Sequence, residues 1–243
     1  ISAADVEEPQ APEAGNLFFI ANSWDTNIAD QVVVFGREGD EVLVGDWNGD
    51  GVDTRGVRRG KEFFLDNAIK SGNADISFKY GKETDEVFVG DWDGDGTDTV
   101  AVRRGVTFYV NNSFEGGNAD STFKYGRDGD EAYVGDFDGD GEDTFVVRRG
   151  DEFFVTNALV GGNADISCHY GKASDEVFVG NFDGEDGDTI ALRRGTIFYV
   201  KNTLVGGVAD TTISYGRVDD RAYVGDFDGD GIDTPVVNRY VNP

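Results

Sequence analysis

Apolar and polar residues alternate along this chain in short runs that never lengthen into a helical period, and from residue 17 onward the runs recur every 45 residues. In the second unit they cover 85–91, 99–104, 107–111 and 121–125. Runs such as Val-Phe-Val and Val-Ala-Val carry the β-branched and aromatic bias of a pleated, half-buried surface. Gly105 marks the hinge between the second and third runs, and Gly116 and Gly117 lie in the connection to the fourth. The pattern predicts four short antiparallel strands per unit and no helix.

Counted from the first residue of a glycine-rich phrase, the units begin at Asp46, Asp91, Asp136, Asn181 and Asp226, with no insertion or deletion between them. A fixed period of this length marks a repeat architecture in which each unit buries its apolar face on its neighbours. Four strands per unit is the arithmetic of a propeller blade, so the expectation is an all-β, five-bladed propeller spanning 17–243 as a single domain. The run at 17–22 matches 63–67, a third strand, whereas the chain finishes at 234–239 in a second strand. The last blade is therefore expected to draw its inner two strands from the C-terminus and its outer two from the N-terminus. An open solenoid would show atypical terminal units. Residues 1–16, with two prolines and several acids among small residues, read as a flexible linker. Gly45, Gly90, Gly135, Gly180 and Gly225 near the end of each first strand point to close approach at the axis. Trp47, Trp92, Phe137, Phe182 and Phe227 are expected to pack between blades, with carbohydrate stacking as the alternative.

The phrase joining the first and second strands carries the chemistry. Between Asp91 and Asp98 stand four carboxylates and two glycines in eight residues. Hard divalent cations take six to eight oxygens, and alternating acids with a glycine at the sixth place let a short loop wrap an ion. Place one is held by Asp46, Asp91, Asp136, Asn181 and Asp226. Place three is held by Asn48, Asp93, Asp138, Asp183 and Asp228, and place five by Asp50, Asp95, Asp140, Glu185 and Asp230. The carbonyls of Val52, Thr97, Glu142 and Ile232 stand at place seven, and Asp53, Asp98, Asp143, Asp188 and Asp233 at place eight. Up to five Ca2+ ions are expected. The fourth loop has a longer acid at place five and its glycine moved to Gly187, which predicts the weakest site. Single aspartate turns are common without metal, but five clusters of repelling carboxylates call for a cation. An EF-hand is excluded, since place twelve holds Val57, Val102, Val147, Leu192 and Val237 instead of an acid.

Charge narrows the partners. The formal net charge is −27, from 48 acidic and 21 basic residues, and 20 of the acids lie in the five loops. Nucleic acid and insertion into a membrane are disfavoured. Cys168, the sole cysteine, excludes an internal disulfide and reads as a core residue. Arg58-Arg59, Arg103-Arg104, Arg148-Arg149 and Arg193-Arg194 close the second strands, and pairing with acids of adjacent blades is their expected role. Asn22, Asn67, Asn112, Asn157 and Asn202 read as turn residues, His169 as a solvated surface group, and Trp24 as an exposed contact residue without repeat equivalents. The start at Ile1 and the lack of methionine suggest a mature product or an excised domain.

The loops Asp-Trp-Asp-Gly-Asp-Gly-Thr-Asp and Asp-Phe-Asp-Gly-Asp-Gly-Ile-Asp resemble the calcium-binding FG-GAP and VCBS-type repeats of the integrin α-subunit propeller and of many secreted bacterial proteins. The longer phrase, ending in Val-Arg-Arg-Gly, is similar to arrays on secreted actinobacterial cell-wall hydrolases and surface proteins. The resemblance implies ligands from places one, three, five and seven and from a following acid, which this chain carries at place eight where the integrin-type pattern has place nine. It also implies an extracellular or cell-surface setting, consistent with loops that fill at millimolar calcium. Even spacing leaves no inserted loop for a unique catalytic constellation. The expectation is a monomeric, non-catalytic module that binds cell-wall or other surface glycan through equivalent inter-blade pockets, where repetition adds avidity. The alternatives are adhesion to a protein receptor where the repeats differ, or a rigid calcium-dependent spacer beside a catalytic domain.

Overall fold

A computed structural model describes residues 15–24, 28–70, 72–185 and 187–241, and among these it contains twenty strands and no helix. The strands form five four-stranded antiparallel sheets. Four are sequential: the first blade runs from Glu41 to Lys79, the second from Glu86 to Lys124, the third from Glu131 to His169 and the fourth from Glu176 to Ser214. In the second blade the strands are Glu86–Gly90, Thr99–Arg104, Thr107–Asn111 and Ser121–Lys124, within a residue of the expected runs. The fifth sheet closes the ring. Its inner strands, Arg221–Gly225 and Thr234–Val241, pair with Gly15–Ile20 and then Gln31–Phe35, in a register that sets Phe18 opposite Asn238 and Ile20 opposite Val236. The strand beginning at Gly15 starts ahead of the expected boundary at 17, and the rest of the acidic N-terminal stretch, 1–14, lies outside the described residues.

The core is divided among the junctions between blades. At the junction of the second and third, Trp92, Phe108 and Phe123 from one blade pack on Phe145 and Val147 from the next. The ring of Trp92 stacks on Phe145 at 5.1 Å and 8°. Second strands lie between neighbours and are buried on both faces, which explains their uninterrupted apolar runs. Trp47, Trp92, Phe137, Phe182 and Phe227 are all buried in these layers, so none is available to stack on a sugar. Trp24, expected to be exposed, is instead half-buried: its indole N–H donates to the Asp233 carbonyl at 2.7 Å and its ring meets Phe182 and Phe198 edge-on at 5.7 Å. An aromatic without repeat equivalents offers no pattern from which such packing is read.

Polar clamps reinforce the junctions. Arg148, 3% exposed, donates to the Asp175 carbonyl at 2.8 Å and the Lys172 carbonyl at 2.5 Å, both in the loop that leads into the next blade. Arg58, Arg103 and Arg193 make the equivalent contacts. The second arginine of each pair turns the other way and grips the aspartate that ends the inter-blade loop, as Arg149 does with Asp130 at 2.9 and 2.6 Å. Tyrosines add a third tie: the Tyr125 hydroxyl donates to the Phe154 carbonyl of the next blade at 3.0 Å. Cys168 is buried in the core, and burial pushes its thiol pKa up. His169 is 66% exposed beside Asp151 at 3.4 Å.

Removing a buried charged partner strands its acceptors, so Arg148→Ala is expected to cost about 3 kcal/mol or more in urea unfolding. A loss below about 1 kcal/mol, within the range of an ordinary single hydrogen bond, would show that water replaces the guanidinium without penalty.

Candidate metal centre

The five glycine-rich loops gather at one end of the ring, between inner and second strands. In each, the place-one side chain is the hub. The Asp91 carboxylate accepts the N–H groups of Gly94 at 2.9 Å, Asp95 at 3.2 Å and Gly96 at 2.7 Å. Asp46, Asp136 and Asp226 repeat the arrangement. Place five closes the second half of the turn, with Asp95 accepting from the Thr97 N–H at 2.9 Å. Gly94 and Gly96 hold φ of 70° and 85°, a left-handed conformation that glycine adopts without strain.

This wrapping brings ligand oxygens of Asp91, Asp93 and Asp95 within 4.8 Å of one another, and likewise those of Asp136, Asp138 and Asp140 and of Asp226, Asp228 and Asp230. Three loops thus each offer a cluster that could hold a metal ion. The donors are all carboxylate oxygens, which suits a hard cation and not a thiolate- or imidazole-preferring one. The first loop has Asn48 at place three, whose amide donates to Asp50 at 3.1 Å, and so brings fewer acids together. The fourth departs further. The Asn181 amide donates to the Glu185 carbonyl at 2.8 Å, and Gly187 takes the positive φ that Gly96 holds in the second loop; Asp186 lies outside the described residues.

The place-eight aspartates go elsewhere. Asp98 does not join the cluster of its own loop; its carboxylate accepts the N–H of Asp46, in the preceding blade, at 2.8 Å, and its own N–H donates to the Asp46 carbonyl at 2.8 Å. Asp143 clasps Asp91 in the same way, Asp188 clasps Asp136, Asp233 clasps Asn181, and Asp53 clasps Asp226 across the closing junction. The axial glycines make room for this. A Cβ on Gly45 would stand 2.7 Å from Asp98 Oδ2, and one on Gly90 would stand 2.7 Å from Asp143 Oδ2. Crowding at the axis is therefore crowding against a carboxylate.

These residues are half-buried overall, with their carboxylates turned away from water. Burial, with the repulsion of neighbouring aspartates, pushes Asp98 and Asp188 up to about 7 and Asp53, Asp143 and Asp233 well above the usual carboxylate range. A second group, read from the sequence only as turn residues, lies beside the loops. The Asn112 amide donates to Asp93 at 2.7 Å, so the residue ending the third strand reaches the candidate ligand set as well as turning the chain. In four other blades the corresponding side-chain oxygens of Asn22, Asn67, Asn157 and Asn202 are buried without a donor, leaving acceptor capacity at the same rim.

A scan against protein-family models finds no match, and a search of the curated proteins finds none either. Among solved structures the chain is similar to an Agrocybe aegerita lectin described for specific recognition of non-reducing terminal N-acetylglucosamine, at 13% identity and a TM-score of 0.49, covering 91% of this chain and 83% of that one. A likeness this loose adds nothing to the architecture already read from the blades.

The pH dependence of the metal-free protein follows from two opposed groups. A carboxylate with raised pKa gives stability that is present below its unfolded value of about 3.9 and is lost as pH rises through the folded value. For Asp98 and Asp188 that loss is complete just above pH 7, where the folded-state carboxyls have titrated. Asp175 has the opposite sign: hydrogen bonds from Arg194 hold it low despite burial, so its contribution is lost only under acid conditions. Metal-free protein is expected to melt higher at pH 5.5 than at pH 8. The reverse order in a melting series would contradict the desolvated ring.

Proposed function

We propose that the chain is a non-catalytic, calcium-binding propeller module of a secreted or surface protein, and that it binds cell-wall or other surface glycan in repeated inter-blade pockets. The observation that carries this reading is a pair of pockets built from equivalent residues one repeat apart. The first, of about 510 Å³, lies between the second and third blades and is lined by Tyr125, Arg149, Phe154, Asn163, Asp165 and Ser167. The second, of about 340 Å³, lies between the third and fourth and is lined by Tyr170, Arg194, Tyr199, Val208 and Thr212.

Each pocket has an aromatic wall beneath a fixed cation. Arg149 lies 4.7 Å over Phe154 and Arg194 5.0 Å over Tyr199, each held in place by an aspartate. An apolar wall beside oriented N–H and carboxylate groups suits a sugar ring, which offers C–H faces and hydroxyl edges. Equivalent weak sites on one rigid ring favour a repeating target. The same arginine-on-aromatic pairs recur at Arg59 with Phe64, Arg104 with Tyr109 and Arg239 with Phe19.

Calcium is the cation that the oxygen-only loops fit best, and extracellular concentrations suit loops of modest affinity. Bound there through places one, three and five, it would neutralise clustered charge and rigidify the rim. Neither calcium nor the glycan reading requires any residue to act as a nucleophile or proton donor. The FG-GAP/VCBS-type resemblance of the loops supports the same setting. Among the described residues no helix is long and apolar enough to cross a membrane.

In calcium the domain is expected to bind a subset of a bacterial cell-wall glycan array, and Phe154→Ala with Tyr199→Ala to weaken that binding while leaving the fold intact. Saturating calcium at a hundred times its dissociation constant should add about 2.7 kcal/mol per independent site to unfolding stability. An array without signal in calcium would remove the glycan reading, and a melt indifferent to calcium and chelator would remove the metal.

A further inference from the structure

The closing junction breaks the symmetry of the arginine clamp. At the other four, a buried guanidinium reaches the aspartate carbonyl that ends the next inter-blade loop: Arg58 to Asp85 at 3.0 Å, Arg103 to Asp130 at 2.8 Å, Arg148 to Asp175 at 2.8 Å and Arg193 to Asp220 at 2.9 Å. Each is also held by a glutamate opposite it on the inner strand, as Arg193 is by Glu176 at 3.1 Å. In the closing blade the arginine is replaced by Asn238 and the glutamate by Arg221. Asn238 is too short to cross, and its amide donates to the Leu17 carbonyl at 3.2 Å within its own sheet.

The receiving loop is nevertheless built as elsewhere. Asp40 N–H donates to the Arg37 carbonyl at 3.2 Å, the Arg37 N–H donates to the Asp40 carboxylate at 2.9 Å, and Arg59 grips Asp40 as Arg104 grips Asp85. The acceptor end of the clamp is thus preserved where its own donor is lost. What lies between is a cavity of about 600 Å³ lined by Glu38, Gly39, Asp40, Asp219, Arg221 and Asn238. Phe35 at this junction lacks the hydroxyl by which Tyr80, Tyr125, Tyr170 and Tyr215 tie to the next blade, so two of the three inter-blade ties are missing here.

We propose that this cavity is a binding site for a guanidinium group supplied from outside the ring. The chain itself shows the fit four times over. A planar guanidinium has five donors in a fixed fork and can address two loop carbonyls at once, which a compact ammonium does not reproduce. Charge alone does not select the guest: Glu38 and Asp219 on the rim have no basic partner among the described residues, but Arg217 and Arg221 line the same cavity, together with Arg239, which is paired with Asp220. Recognition therefore rests on donor geometry, and arginine is selected over lysine. Residues 1–14 contain neither arginine nor lysine, so that N-terminal stretch is not the source. The site is single per ring and independent of the glycan pockets.

The test is an NMR titration of the domain with Nα-acetyl-arginine amide, Nα-acetyl-lysine amide and the peptide Gly-Gly-Arg-Gly at constant ionic strength. Saturable amide shifts centred on Gly39, Asp40 and Asn238 are expected with both arginine probes and absent with lysine. Tighter binding of the peptide than of the capped amino acid identifies a protein side chain as the source, and equal binding identifies a small guanidinium compound. In the double variant Asn238→Arg with Arg221→Glu, the internal clamp should be restored, melting should rise, and arginine binding should be lost. Unsaturable or scattered shifts in the unaltered domain, or equal response to lysine, overturn the proposal whether or not the variant folds.

Discussion

The reciprocal clasp between each place-eight aspartate and the place-one residue of the preceding blade is the contact on which the ring depends. Two N–H donations run in opposite directions between blades, Asp143 N–H to the Asp91 carbonyl at 2.6 Å and Asp91 N–H to the Asp143 carboxylate at 2.8 Å, and the pattern closes on itself through Asp53 and Asp226. Other features follow from it. A carboxylate against the inner strand leaves no space for a side chain there, which is why Gly45, Gly90, Gly135, Gly180 and Gly225 stand at the axis. The loops also nest, with Gly49 against Thr97 and Gly229 against Val52 of the following loop. A length change in one unit would throw its clasp out of register with both neighbours, and the constant 45-residue period is what such a constraint demands.

The clasp has an electrostatic cost. Five carboxylates are turned away from water around one axis, and the N–H each accepts offsets only part of that desolvation. Just above them lie the acidic places one, three and five, so the loop end of the ring concentrates negative charge in two tiers. A cation in the outer tier would relieve both. At the other end of the junctions the buried arginines act in the opposite sense, laying positive charge under loop carbonyls and against Phe63, Phe108, Phe153 and Phe198 at 5.4 to 5.9 Å. The closing junction, without this arginine, instead buries Arg55 between Phe18 and Phe35, 3.8 Å from Asp66.

Much of the fold was legible because it is local and repeated. Strand runs, turn glycines and the mismatch between the first run at 17–22 and the last at 234–239 were enough to place all five sheets and the way the ring closes. The gathering of places one, three and five in the second, third and fifth loops was legible for the same reason, since a loop of eight residues leaves its side chains few places to go. Place eight was not. Asp98 has the residue type of a last ligand, but its partner Asp46 is 52 residues away, and nothing in one unit distinguishes a ligand from a clasp. Asn112 reaches Asp93 across its own blade, a contact set by the strand order, and Trp24 packs on Phe182 from the far end of the chain, a contact set by ring closure; neither leaves a trace in the period.

The most direct test of the clasp is the melting temperature of Asp143→Asn, with and without calcium, beside the unaltered protein. An asparagine oxygen still accepts the Asp91 N–H while removing one repelling charge. The metal-free variant is expected to melt at or above the unaltered protein and to keep the full calcium-induced rise. A variant whose metal-free melting is unchanged but whose calcium response is lost would make Asp143 a metal ligand, and would contradict the clasp as the organising contact.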